Sequence, residues 1–265
     1  KPMTFAKGAS AYKTYLESPH GRLRLEIAWH QLSRFTTESW GVKPGPRCVL
    51  DIGCGTGELP LRLAAQGHSV TLIDPAEEML YLAKEKAAAL DPPSAFAPQF
   101  LRGSLEEAAE LVEKKTFDLV LCHMLVEYLP DPSSSLVLLR PLLRPDGFLS
   151  LITVNRCQEP FRLGIRDRKF EEAMRALVGK APMDSLFGLP RSGMVSNELE
   201  AQLEGVGINV LAHQGIFVFS DYVPTGTLED PSNFTALLRL ETQAGILSPF
   251  KEVARYLHLW GRRAE

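Results

Sequence analysis

Apolar positions fall into distinct textures along the chain. Between Tyr12 and Trp40, the residues Leu23, Ile27, Leu32 and Phe35 recur near the helical period of about 3.6 residues, which predicts an amphipathic N-terminal helix. Lys43-Pro-Gly-Pro46 then breaks the chain. From Arg47 onward, short apolar runs alternate with helical patterns, the arrangement of a parallel sheet with crossover helices. Cys48 to Asp51, Ser69 to Asp74, Ala97 to Arg102, Phe117 to Cys122 and Phe148 to Val154 read as strands. Pro98 gives the third of these the character of an edge. Glu58 to Gln66, Ala76 to Ala89 and Ser133 to Leu143 read as helices, the first closed by Gly67 and the last stopped by Arg144-Pro-Asp-Gly147.

Asn155 to Asn197 interrupts this rhythm. The stretch is polar, basic and punctuated by Gly and Pro, too long for an ordinary connection, and reads as an insertion placed like a lid. After it, Ser196 to Glu204 reads as a helix, Ile208 to His213 and Gly215 to Phe219 as two strands around a turn, and Phe234 to Gln243 and Pro249 to Trp260 as a helical tail. The expected fold is α/β: a doubly wound, mostly parallel sheet of seven strands in a single domain spanning 1–265. Its parts are an N-terminal helical cap at 1–45, a cofactor-binding core at 46–155, an insertion at 156–197 and closing strands with a helical tail at 198–265.

Composition narrows the class. With 265 residues, 45% of them hydrophobic and 23% charged, the chain carries enough apolar material for a full core. No run approaches the roughly 18 apolar residues of a membrane span, and the first residues lack an apolar signal core, so a soluble cytoplasmic protein is expected. The net charge of −3 argues neither for nor against a nucleic-acid partner. Arg162, Arg166, Arg168, Lys169 and Arg175 form a local basic stretch that, taken alone, reads as a solvated helical face. Cys48, Cys54, Cys122 and Cys157 show neither a CxxC pair nor a histidine at zinc-ligand spacing, so neither a metal site nor a disulfide is expected.

Ligands of an open parallel sheet bind beyond the carboxyl ends of its strands. Asp51-Ile-Gly-Cys-Gly-Thr-Gly57 stands there, between a strand and a helix whose first N–H groups are free to meet an anionic group. Asp74 follows at the tip of the second strand, where a carboxylate accepts hydrogen bonds from ribose hydroxyls or caps the next helix. These two features fit a dehydrogenase as well as a methyltransferase.

Three points separate those classes. The loop reads D-x-G-x-G-x-G rather than the G-x-G-x-x-G of dehydrogenases, Leu143-Arg-Pro-Asp-Gly147 introduces the fifth strand, and a strand pair closes the domain. In these respects the chain resembles the class I S-adenosylmethionine-dependent methyltransferases from about Arg47 to Phe219, a Rossmann-like fold. The resemblance implies S-adenosylmethionine as cofactor, held around Asp51, Gly53, Cys54, Gly55 and Gly57. It also implies Asp74 on the ribose with Pro75 and Met79 beside it, Gly103-Ser104-Leu105 flanking the adenine, and His123 facing the methionine end.

A narrower similarity runs to the bacterial tRNA 5-carboxymethoxyuridine methyltransferases, which esterify the carboxylate of a modified wobble uridine. It is carried by Gly21-Arg-Leu-Arg24, Ile27-Ala-Trp29 and Leu32, by Phe117 to His123 with Glu127, and by Asn155. Gly215 to Tyr222, Ala236 to Thr242 and Ala254 to His258 extend it. The similarity implies Arg24 and His123 at the cofactor, Arg24 pairing with the methionine carboxylate through its fork, and tRNA as partner. The insertion departs from that group, since Ala181 to Arg191 is largely apolar where the group carries lysines. The alternative is a small-molecule O- or N-methyltransferase taking a carboxylic-acid or hydroxyl acceptor in a pocket roofed by Ser185-Leu-Phe-Gly-Leu189.

A carboxylate acceptor is anionic at neutral pH and needs no general base, so catalysis reduces to proximity and in-line alignment. Arg156 and Arg191 are the candidate cations for holding it, with Tyr222 and His30 as further hydrogen-bond donors. For a hydroxyl or amine acceptor, His123 is the first candidate base. Trp29 and Tyr15, on the N-terminal cap, either cover the site or pack the helix onto the domain.

Overall fold

The computed structural model describes residues 8–40, 45–91, 94–112, 116–179, 183, 185 and 187–265. Part of the Lys43 to Pro46 break and, in the insertion, Lys180 and Leu186 lie outside the described residues. The strands are β1 (Cys48–Ile52), β2 (Ser69–Asp74), β3 (Gln99–Arg102), β4 (Phe117–His123), β5 (Leu143–Val154), β6 (Ile208–Ile216) and β7 (Tyr256–Arg263). The longer helices are α1 (Ala9–Glu17), α2 (Pro19–Trp40), α3 (Glu58–Ala65), α4 (Glu77–Ala88), α5 (Leu105–Leu111), α6 (Phe170–Leu177), α7 (Ser196–Gly205) and α8 (Pro231–Ala244).

The seven strands form one sheet in the order β3-β2-β1-β4-β5-β7-β6. β1 to β5 run parallel, and β7 runs antiparallel to both β5 and β6. Helices cover both faces, so successive residues of a central strand enter different cores. Val49, Leu119 and Leu121 face Leu23, Ile27 and Leu32 of α2. Leu50, Ile52, Val120 and Cys122 face α5 and α7 through Leu105, Leu199 and Leu203. That is why these strands read as continuous apolar runs rather than alternating ones. Each fully buried leucine or isoleucine contributes about 1.5–3 kcal/mol. The helical period over α2 and the five parallel strands stand as the sequence implied.

Three elements differ from expectation. Pro249 to Trp260 is not a helical tail: from Tyr256 the chain is β7, inserted between β5 and β6 and buried along nearly its whole length. A strand covered on both faces loses its period of two, and Val253, Leu257 and Trp260 then imitate a helical stripe. β6 is one strand through Ile216, and no strand runs from Gly215 to Phe219, because Phe217 takes φ 64° and turns the chain away. Ser133 to Leu143 is not one helix. A single turn at Pro132–Ser135, capped by Asp131, gives way to 3₁₀ turns, and Pro141 interrupts any continuation by lacking an N–H.

In the basic stretch of the insertion, Arg166, Arg168, Lys169 and Arg175 are exposed, as a solvated face requires. Phe170, Met174 and Leu177 of α6 are exposed, while Arg162 folds inward onto Glu159 and Asp167. Among the described residues, no helix is long and apolar enough to cross a membrane.

Candidate active site

The loop after β1 owes its shape to glycine. Gly53, Gly55 and Gly57 have φ of 69°, 53° and 74°, values that side chains with a Cβ rarely adopt. At Gly57 a Cβ would also stand 2.9 Å from Leu72 Cδ2, against the sheet. The end of β2 fixes this loop: the N–H groups of Gly53 and Cys54 both donate to the Ile73 carbonyl, at 2.8 and 3.0 Å. Asp74 completes the hold. One carboxylate oxygen accepts from the Gly55 N–H and the other from the Ala76 N–H, each at 2.8 Å. The helix-capping role and an open ligand role therefore coexist, because each oxygen keeps a second lone pair.

The loop sits in negative surroundings. Burial pushes the Asp51 carboxyl well above the usual carboxylate range, and Asp74 and Glu58 add to the effect. Burial likewise raises Asp74, against the pull of its two N–H donors. Lys86 pairs with Glu58 at the rim. Such a site favours a ligand carrying positive charge.

Beyond the carboxyl ends of the strands lies a cleft of about 680 Å³. Its floor includes Gly53, Gly55, Asp74 and His123, and α1 and α2 close one side with Tyr12, Tyr15 and Arg24. The Arg24 guanidinium lies 4.9 Å from the Tyr15 ring centre, and no carboxylate of the described residues is within ion-pair distance of it. It is a desolvated cation open to an anionic group. Phe187 forms a wall with Tyr12 and Tyr128, at ring separations of 5.7 and 5.9 Å.

The far side of the cleft is rich in arginine. Arg162, Arg166, Arg191 and Arg255 line it, opposed on that side by Asp221. Asp221 accepts from Arg255 at 2.7 Å and from Gln158 at 3.0 Å, with Arg166 3.8 Å away. The buried Arg191 Nε has no hydrogen-bond acceptor among the described residues. Arg255 Nε donates to the Tyr256 hydroxyl at 3.1 Å. Burial pushes that phenol up, but Arg255 and Arg24 pull harder, and the balance falls below the ordinary tyrosine value.

Two buried groups hold this wall. Glu241 of α8 accepts from the N–H groups of Val218, Phe219 and Ser220 at 2.7, 2.9 and 2.7 Å, which sets the loop leading to Asp221 and Tyr222. Asn155 donates to the carbonyls of Glu252 and Ala254, both at 2.8 Å, which places Arg255. Left-handed φ at Met124 (56°) and Phe217 (64°) also falls at the cleft, where strained backbone tends to gather.

His123 closes the floor. Burial, reinforced by Arg24, lowers its pKa to about 3, so the ring is neutral at working pH and its conjugate acid is too strong for efficient general-base chemistry. Glu127, one turn beyond, is pushed up to about 7 by burial; one of its oxygens accepts from Thr153, and Oε1 has no partner among the described residues.

Residues 50–151 match the model of a methyltransferase domain. The loop, the strand-end carboxylate and the seven-stranded sheet with its antiparallel β7 stand in one molecule with that match. This chain carries a methyltransferase domain and is an S-adenosylmethionine-dependent methyltransferase, with the seven-stranded fold of class I. S-adenosylmethionine is its cofactor, and the carboxyl groups of Asp51, Asp74 and Glu58 around the loop, with an Arg24 that has no carboxylate partner among the described residues, suit a ligand bearing a sulfonium, an ammonium and a carboxylate.

The methyltransferase is 29% identical to the tRNA 5-carboxymethoxyuridine methyltransferase of Escherichia coli K12, over 92% of this chain and 90% of that one. It is 35% identical to a ubiquinone biosynthesis O-methyltransferase of Pasteurella multocida, over 44% of this chain and 50% of that one. A crystal structure of the plantazolicin methyltransferase BamL, in complex with a triazolic desmethylPZN analog and SAH, superposes with a TM-score of 0.59 and 18% identity. That match covers 98% of this chain and 91% of the other.

The cleft draws together many of the residues singled out in the sequence of the methyltransferase. Arg24, Gly53, Gly55, Asp74, Pro75, Met79, His123 and Tyr222 line it, and Asp51 and Cys54 border the adjoining recess beneath the loop. Others are not brought there. Arg156 lies outside the cleft, because its guanidinium pairs with Glu198 on α7 at 3.3 Å; Arg191 lines the wall instead. His30 is exposed on α2 and does not reach it. Gly103, Ser104 and Leu105 do not line it: Ser104 and Glu107 form the capping box of α5, and Leu105 is core. Arg255 and Tyr256 were hidden in the stretch that reads as a helix. Arg162 and Arg166 were visible as charge, without a sign of which way they point.

Proposed function

We propose that the methyltransferase esterifies an anionic acceptor, the carboxylate of 5-carboxymethoxyuridine at the wobble position of tRNA. What carries the reading is the arginine wall: Arg191 and Arg255 face the cleft beside Arg166, which pairs with Asp167 at 2.8 Å, and among the described residues Asp221 is the carboxylate that lines that side. The similarity to the E. coli tRNA enzyme, running along nearly the whole of both chains, supports the same acceptor. A tRNA acceptor also fits a cytoplasmic location.

S-adenosylmethionine supplies an electrophilic methyl group at its sulfonium. Asp74 would accept the ribose hydroxyls on its free lone pairs, with Pro75 and Met79 beside it, and Arg24 would take the methionine carboxylate. Asp51 and the loop through Gly53, Cys54, Gly55 and Gly57 surround the positively charged end. Arg191 and Arg255, with Tyr222, would hold and orient the acceptor carboxylate, whose oxygen needs no base: its bond to the methyl carbon would form as the carbon–sulfur bond breaks and S-adenosylhomocysteine leaves. The residue set 1–265 works as one domain, the cap supplying Arg24 and the 156–197 insertion supplying Arg162, Arg166, Ser185, Phe187 and Arg191.

A labelled methyl group offered on S-adenosylmethionine tests this. Transfer is expected to tRNA bearing 5-carboxymethoxyuridine and not to tRNA with unmodified uridine at that position. Transfer to a phenolic small molecule, with none to tRNA, would instead support an O-methyltransferase, a reading favoured by the aromatic wall of Tyr12, Tyr128 and Phe187.

A further inference from the structure

A line of buried polar groups crosses the core beneath the cleft. His123 Nε2 lies 2.7 Å from Ser150 Oγ, and Ser150 Oγ lies 2.8 Å from His258 Nε2. His258 Nδ1 lies 2.7 Å from Gln31 Oε1, and Gln31 Nε2 donates to the Gly215 carbonyl at 2.9 Å. Gln31, Ser150 and His258 are each no more than 2% exposed, in a layer otherwise filled by aliphatic and aromatic side chains. Polar groups so placed are costly unless fully paired.

The direction of every bond in this chain follows from one end. A carbonyl oxygen accepts and never donates, so the amide nitrogen of Gln31 must face Gly215 and its oxygen must face His258. His258 therefore carries its proton on Nδ1, and its Nε2 is a lone pair. That lone pair takes the Ser150 hydroxyl proton, which leaves the Ser150 oxygen to accept from His123. His123 must then be protonated on Nε2. Its other nitrogen, Nδ1, has no partner among the described residues, and the ring lines the cleft floor. Burial lowers His258 well below the ordinary histidine value and His123 to about 3, so neither ring picks up the second proton that would break the sequence.

We infer that Ser150, His258 and Gln31 are positioning residues that fix His123 in one tautomer, so that its Nδ1 meets the cleft as a hydrogen-bond acceptor. Resting on the cofactor placement proposed above, its donor is the ammonium group at the amino-acid end of S-adenosylmethionine. Arg24 and His123 then divide that end between them, a cation for the carboxylate and a lone pair for the ammonium. The neighbouring acids of the loop act through space on the same positive charge.

Two measurements decide it. Long-range ¹⁵N–¹H correlation spectra of the ¹⁵N-histidine-labelled wild-type protein report which ring nitrogen of His123 bears hydrogen; Nε2 is expected, and hydrogen on Nδ1 overturns the inference without any variant being made. Calorimetry on Ser150→Ala then compares S-adenosylhomocysteine, which has the ammonium, with methylthioadenosine, which lacks the amino-acid end. Affinity for the former is expected to fall roughly tenfold, as for a hydrogen bond to a charged group, while the latter holds within about twofold. Equal loss for both ligands, or no loss for either, overturns it. Should the wild-type protein bind neither ligand, the cofactor placement fails, and the tautomer spectrum still decides the relay.

Discussion

Asp74 shows how much one side chain is asked to do. It holds the glycine loop, begins the turn into α4 and presents its free lone pairs to the cleft. Asp74→Ala is expected to weaken S-adenosylhomocysteine binding by about two orders of magnitude, since both loop geometry and ligand bonds are lost; calorimetry reads this directly. His123 gives a different expectation. With its pKa lowered to about 3, it contributes no ionisation near neutrality, so kcat should be flat between about pH 6 and 8 where a histidine base would give a limb. Glu127 ties stability to pH. Its pKa is raised from 4.5 to about 7 in the fold, so the folded state retains a proton that the unfolded chain releases. Its contribution is favourable at low pH and is lost as pH rises through 7. Glu127→Gln, which cannot ionise, should be more stable than wild type at pH 8, by up to about 3 kcal/mol, and gain little at pH 4. Denaturant titrations at the two pH values check the sign.

Among the elements, α8 and the segment leading into β7 hold the arginine wall although neither supplies the glycine loop. Glu241 accepts three backbone N–H groups and the Ser220 hydroxyl from a fully buried position. Glu241→Ala leaves those donors unpaired, and a loss of about 3 kcal/mol in stability is expected, with the Asp221–Tyr222 turn displaced and methyl transfer reduced. Thermal unfolding and a transfer assay separate the two effects. In the sequence, elements were legible where a single periodicity ruled. α2 declared itself through Leu23, Ile27 and Leu32, and β1 through a short apolar run ending on Asp51. β7 was not legible, because burial on both faces erased its alternation and left Tyr256 and Trp260 at helical spacing. The helix expected at 133–143 failed on Pro141, whose missing N–H was in plain view but was outweighed by the leucines around it.

At the scale of the molecule, strand order and strand direction place the site. The glycine loop and Asp74 lie at the ends of β1 and β2, and the arginine wall is assembled from the insertion and from Arg255 just before β7, far apart in sequence. The first half was readable because a loop, a strand tip and a helix start are neighbours along the chain. The second was not, because Arg166 and Arg255 meet Asp221, and Arg191 reaches the same cleft, only once the sheet is closed, and a sequence shows their charge without their direction. Arg156 illustrates the cost: it has the same chemistry and a similar place in the chain, yet it pairs with Glu198 outside the cleft. The wall is the basis of the proposed activity, methyl transfer to a carboxylate on tRNA. Nucleoside mass spectrometry tests that claim most directly, on tRNA from a bacterial strain that lacks its own wobble-carboxylate methyltransferase and expresses this chain. The account predicts that the methyl ester of 5-carboxymethoxyuridine appears, and that Arg255→Ala abolishes it. Persistence of the free acid in cells that hold folded, S-adenosylmethionine-binding protein would contradict it.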